Sequence, residues 1–217
     1  MRNRILISIA LLIVVGVVVF VFIKATPVNN EEANSLNLYK NDEYGFEVSY
    51  PKSLTPDNSF TTYYHLSGAW RANADPESGG NLIVSIPVYR IESKTGVFMS
   101  YPLYFDAELR IGASSDPKDI ENCLKEEPNY QGATSTIEVI NGVTFRRFIL
   151  GSAGMMQYMY GVSYRIIHNN VCFAIEQLKV GSSYRDITTS SNDIPDSVLD
   201  SYYNKVGDIV KTFKFLK

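Results

Sequence analysis

Histidine and cysteine are scarce in this chain, with two of each among 217 residues and a single tryptophan. Neither Cys123 nor Cys172 has a second ligand at two-to-four-residue spacing, which argues against a structural metal site. His65 and His168 are the only imidazoles available for acid–base or metal work. A Gly-x-Ser-x-Gly elbow is missing, so neither histidine has an evident hydrolase partner. An excess of basic charge is missing as well. Setting aside Arg2, Arg4 and Lys24 leaves 17 basic against 23 acidic residues over 25–217, a balance of −6. That argues against nucleic acid or anionic lipid as the main partner. Internal repeats and low-complexity tracts are also absent.

What the chain does have is a long apolar run. Residues 5–23 are 19 positions without a charge, interrupted only by Ser8. At helical rise they span about 28 Å, close to the hydrocarbon thickness of a bilayer. A cleavable signal peptide is the rival, since Arg2 and Arg4 make a basic leader. Its apolar region would be shorter and end in a small-x-small site. Here Lys24 precedes the first small residue, Ala25. No cysteine follows the run, which excludes a lipoprotein anchor, and no glutamate opens it, which argues against a pilin-type helix. The basic residues before the span place the amino end in the cytoplasm. The expectation is therefore a single-pass protein of a bacterial cytoplasmic membrane: residues 1–24 form tip and anchor, 25–37 a polar linker, and 38–217 an extracytoplasmic domain. Its membrane contact is through residues 5–23.

The exported part reads as mixed α and β. Phe46, Val48 and Tyr50 alternate with Glu47 and Ser49, the period of a strand. Residues 60–66 and 81–91 are further strands, and Ala107, Leu109, Ile111 and Ala113 alternate with Glu108, Arg110 and Gly112. Ser115-Asp116-Pro117 starts a short helix, with a cap and an early proline. That helix carries Ile120, Cys123 and Leu124 on one side. Asn141-Gly142 joins two apolar runs as a two-residue hairpin, and Asn169-Asn170 marks a second. Pro195 opens an amphipathic helix with Val198, Leu199, Tyr202, Val206, Ile209 and Val210 on one stripe. Phe213 and Phe215 form a short closing strand. The fold class is α+β, an antiparallel sheet packed against helices.

Outside the cytoplasm Cys123 and Cys172 can oxidise, tying helix to sheet and stabilising by roughly 3–4 kcal/mol in the chain-entropy model. The export signal favours this bond; the alternative is two separate small buried hydrophobes.

Several motifs resemble chemistry without supplying it. Lys94-Thr95-Gly96 is a fragment of the penicillin-recognising site, but Ser49-x-x-Lys52 lies in a strand, and Ser115-x-x-Lys118 follows that lysine rather than preceding it. Gly151-Ser152-Ala153-Gly154 lies between strands. Asp186, Asp193, Asp196 and Asp200 lack the alternation and glycine of a calcium loop, and Asp193 and Asp196 suit the first turn of the last helix. Asp75 to Gly80 is a turn-rich loop with no helix after it, so it is no phosphate cradle. The sequence indicates no cofactor, no metal and no catalytic residue. Met155, Met156, Tyr158, Met159, Tyr160 and Tyr164 concentrate soft and aromatic side chains suited to adaptable contacts. They form a candidate contact surface, with Trp70 a second candidate contact if exposed, the bland alternative being core and cross-strand packing.

The segment Tyr44-Gly45-Phe46-Glu47-Val48-Ser49-Tyr50-Pro51-Lys52 resembles the first strand of PsbP-like domains, including the DcrB-like envelope proteins. The ending Ile209-Val210-Lys211-Thr212-Phe213-Lys214-Phe215 is similar to theirs, although Ser53-Leu54-Thr55 stands where an aromatic often follows the proline. The resemblance implies a PsbP-like sandwich over 38–217 and a role in assembling or stabilising membrane complexes rather than catalysis. Three functions follow as expectations: an envelope domain that binds a protein partner, a small-ligand or glycan-binding ectodomain using the tyrosines, and an envelope hydrolase.

Overall fold

Two turns built on asparagine organise much of the architecture. Asn141 and Gly142 sit at φ 49° and 80°, and Asn169 and Asn170 at φ 50° and 61°. Positive φ at both turn positions matches the right-handed twist of the flanking strands. The structure, a computed structural model, describes residues 35–57, 70–74, 78–93, 103–125, 135–154, 157–182 and 196–217. Its strands are β1 (Leu36–Asn41), β2 (Phe46–Pro51), β3 (Asn81–Ser93), β4 (Leu103–Ser114), β5 (Thr136–Ile140), β6 (Val143–Gly154), β7 (Gln157–His168), β8 (Val171–Ser182) and β9 (Lys214–Phe215). The helices are α1 (Pro117–Asn122) and α2 (Asp196–Val210).

Among the described residues all pairings are antiparallel, in two sheets rather than the single one expected. The larger has the order β3-β4-β8-β7-β6-β5 and the smaller β1-β2-β9. Hairpins at the two asparagine turns make β5 to β8 consecutive neighbours, as the sequence indicates. The α+β class with antiparallel sheets holds. The first strand among the described residues begins at Leu36, two residues inside the stretch read as linker. The strand expected at 60–66 lies outside the described residues, as does the apolar run 5–23. Among the described residues no helix is long and apolar enough to cross a membrane.

One face of the large sheet packs on the small sheet and on α2. Phe46 and Val48 from β2, Leu109 and Ile111 from β4, Phe145 from β6 and Ile175 from β8 meet Val206, Ile209 and Phe213 there, all buried. Phe46 stacks on Phe213 with centroids 5.4 Å apart. On α2 the stripe holds with one exception: Val198 is exposed, because it lies in the first turn, ahead of the core contacts begun by Leu199.

The opposite face carries two smaller clusters. Ala72, Leu150, Met159, Leu178 and Val180 form one. Trp70, Ala74, Cys123, Cys172 and Ala174 form the other, joined by Ile120 and Leu124 of the α1 region. Helix α1 starts where the sequence places it, with the Asp116 carboxylate accepting from the Lys118 N–H at 2.7 Å. Cys123 and Cys172 are disulfide-bonded, with Cα atoms 5.8 Å apart. The bond joins the end of α1 to β8, the helix-to-sheet tie expected.

Candidate functional site

Among the described residues, the candidate contact residues do not fall on one exposed surface. Trp70 is only 2% exposed, a correction to its reading as a contact residue. Its backbone carbonyl lies against Gly112 and its indole against Gly80, where only hydrogen fits. Trp70 shares a buried cluster with the two cysteines, and the Arg71 guanidinium carbon lies 5.3 Å from its ring centroid. Met159 and Tyr164 are buried on opposite faces of β7, in different clusters. Tyr158 is half-buried, and Tyr160, at 42%, is the exposed member. Met155 and Met156 lie outside the described residues.

Around Tyr160 the structure builds a small cluster with no sequence signature. Lys179 Nζ lies 5.5 Å from the Tyr160 centroid and 5.1 Å from that of Tyr203, while donating to Asp200 at 2.8 Å. The Tyr203 hydroxyl is buried and has no hydrogen-bond partner among the described residues. Burial pushes its pKa well above the ordinary phenol value, with Tyr160 and Tyr164 adding to the rise and Arg147 opposing it. Between α2 and the strands lies a cleft of ≈ 290 Å³. Glu138, Gln177, Asn204, Asp208 and Lys211 contribute to its walls, and Tyr164 is its one aromatic lining residue.

The other face of the sheet carries a buried ionic stripe. Period-two alternation would ordinarily turn Glu108 and Arg110 to water, yet both are buried, together with Asp106, Arg165 and Glu176. Glu108 accepts from Arg110 Nε, and from Ser85 Oγ at 2.6 Å. Arg90 Nε donates to Asp106 at 2.6 Å. Arg165 Nε donates to Ser163 at 3.2 Å, and its guanidinium lies 4.4 Å over the Phe148 ring. Glu176 accepts from the Ala72 N–H at 2.8 Å, fastening the 70–74 segment to the sheet. Glu108 is matched by Arg110 and Asp106 by Arg90, which suits a structural network.

The edge of the large sheet is different. On β5, Ile137 is 75% and Val139 62% exposed, although every cross-strand neighbour they have lies on β6. Between them Glu138 faces the opposite side, 3.4 Å from Arg147 Nε. Sequence reading took this segment as one arm of a hairpin. That it lies at the sheet edge follows only from the strand order.

His168 stacks on Phe215 at 3.9 Å, closing the end of β7 against β9. His65 and the Lys94-Thr95-Gly96 fragment lie outside the described residues. Gly151 to Gly154 continue β6 rather than forming a loop. Among the described residues no three His, Cys, Asp or Glu side chains converge as metal ligands would.

No family model matches the chain, and no curated protein matches it in sequence. Among solved structures, the solution structure of cyanobacterial PsbP (CyanoP) from Synechocystis sp. PCC 6803 is similar over 83% of this chain and 92% of that one. Identity is 12% and the TM-score 0.36. A likeness at that TM-score carries no argument about fold or function.

Proposed function

We propose that this chain is a membrane-tethered, extracytoplasmic domain that binds a protein partner in the bacterial cell envelope, and that it acts without catalysis. The observation that carries the reading is the β5 edge, where Ile137 and Val139 stand 75% and 62% exposed side by side on one face. Apolar side chains grouped at a sheet edge that is unpaired among the described residues invite pairing with another chain, and exposed apolar surface marks interaction sites. The uncharged run over residues 5–23 supports the tether, with Arg2 and Arg4 setting its direction.

A small-ligand or glycan site in the cleft beside α2 is the second reading, favoured by Tyr164 and the polar side chains of Gln177 and Asn204 in its walls. Ligand pockets are commonly about 300–1,000 Å³ and mostly apolar or aromatic. This cleft is ≈ 290 Å³ and has Tyr164 as its one lining aromatic, so the protein-binding reading ranks above it.

In-cell crosslinking of the tagged full chain, with mass spectrometry of what co-purifies, tests the proposal. The expected result is one reproducible envelope partner, lost when residues 38–217 are deleted and the anchor kept. Protease added to spheroplasts should digest the domain and spare the anchor. Capture of nothing above background would remove the protein-binding reading, and protection from protease the topology.

A further inference from the structure

Resting on the protein-binding reading, we infer that β5 takes up an extended segment of another protein as an added antiparallel strand, one that alternates apolar and basic side chains. Among the described residues β5 closes its sheet and pairs with β6 alone. Its register is set by the two-residue Asn141-Gly142 turn, which makes Ile140 and Val143 the hydrogen-bonded pair that closes the hairpin. Hydrogen-bonded pairs alternate with the other kind along antiparallel strands. Ile140, Glu138 and Thr136 therefore bond to β6, and the N–H and C=O groups of Val139 and Ile137 point outward. The same two residues carry the exposed apolar side chains. An incoming strand would satisfy backbone groups and cover apolar surface at the same positions.

The two edges of the sheet are treated differently. Edge strands are ordinarily blunted by proline, lysine, bulges or covering segments. The β3 edge has several such devices: Pro87, register shifts between Leu82 and Val84 and between Pro87 and Tyr89, and a bridge in which Asp57 and Ser85 exchange backbone bonds of 2.7 and 2.8 Å. In β5, Thr-Ile-Glu-Val-Ile, there is no proline, no lysine and no register shift.

Charge selects the occupant. A second copy pairing antiparallel about Glu138 would set carboxylate opposite carboxylate, and the −6 balance over residues 25–217 would add to the repulsion. A lysine or arginine opposite Glu138 would instead meet a carboxylate whose nearest cation, Arg147 Nε, stands 3.4 Å away. Apolar residues on either side would meet Ile137 and Val139.

The test uses the full chain in nanodiscs and fluorescent peptides of alternating valine and lysine, read by anisotropy. Binding is expected, with affinity falling about tenfold when the peptide backbone is N-methylated at alternate residues. Val139→Pro removes an outward N–H that no strand among the described residues uses, a position where an edge tolerates proline. It should weaken binding similarly, whereas Tyr160→Ala should not. Glu138→Lys should reverse the preference towards a valine–glutamate peptide, an arm that stands even if the proline variant misfolds. Equal binding by the N-methylated peptide, or an unchanged preference in Glu138→Lys, overturns the inference. So does a concentration-dependent dimer that Val139→Pro abolishes, since a second copy would then be the occupant. Photo-crosslinkers placed in cells at 139 and at 160 separate the two claims. Capture from 160 alone sinks strand addition and leaves protein binding standing; capture from neither sinks both.

Discussion

Gly112 and Glu108 lie four residues apart on one strand and are held by opposite requirements. A Cβ on Gly112 would stand 1.8 Å from the Trp70 carbonyl oxygen, so the backbone around residue 70 would have to move. Gly112→Ala should therefore cost about 1–3 kcal/mol or more, read as a lowered denaturant midpoint. Glu108 demands charge rather than space. Its carboxylate accepts from Arg110 and from Ser85 at 2.6 Å, with glutamate and arginine both buried. Glu108→Ala leaves the Arg110 guanidinium buried without that carboxylate and should cost about 3–5 kcal/mol in the same measurement. A loss below about 1 kcal/mol would mean that water reaches the stripe. Neither requirement is legible in the strand's own letters. The alternation of Ala107, Leu109, Ile111 and Ala113 with Glu108 and Arg110 reads as one face in and one face out. Both faces are covered here.

Among the elements, the hairpins are local inventions and the helix contacts are not. Asn141 serves twice: its backbone takes φ 49°, and its Nδ2 donates to the carbonyls of Lys211 and Phe213 at 2.8 Å each. Asn141→Gly keeps the turn and loses the tie to the chain's end, so a cost of about 1–2 kcal/mol is expected by thermal or chemical unfolding. Helix α2 brings Tyr203 against the sheet. Its folded pKa lies above the unfolded value of 10.0, and the Tyr164 pKa is raised as well, first by burial. Stability tied to these neutral phenols is complete below pH 10 and is lost as pH rises further. The melting temperature should fall above pH 10, less steeply in Tyr203→Phe, and a variant that tracks the parent would sink this assignment. The turn and the amphipathic stripe were readable because each depends on residues near in sequence. The burial of Tyr203 was not, since the strands that carry Tyr160 and Lys179 against it are distant from it in sequence.

For the whole molecule, the disulfide is the covalent constraint on how the elements sit together. Cys123 and Cys172 are both fully buried, 49 positions apart. Replacing both by serine should lower stability by roughly 3–4 kcal/mol, measured as the gap between unfolding curves of parent and variant under oxidising conditions. Reduction of the parent should close most of that gap. The anchor belongs to this scale too: the full chain is expected to stay with membranes through an alkaline wash.

By itself the sequence determined the uncharged 19-residue run, the antiparallel meander from β5 to β8, both helices and a cysteine pair placed to join helix to sheet. Each follows from period, turn chemistry or composition over short stretches, where backbone sterics and solvation act locally. The tertiary structure alone decided that there are two sheets, that Trp70 is core, that charges fill the covered face, and that β5 is the edge with its apolar side chains in water. Those outcomes depend on which strand lies beside which, and pairing between distant segments follows from the summed burial of the whole domain rather than from any one segment's pattern.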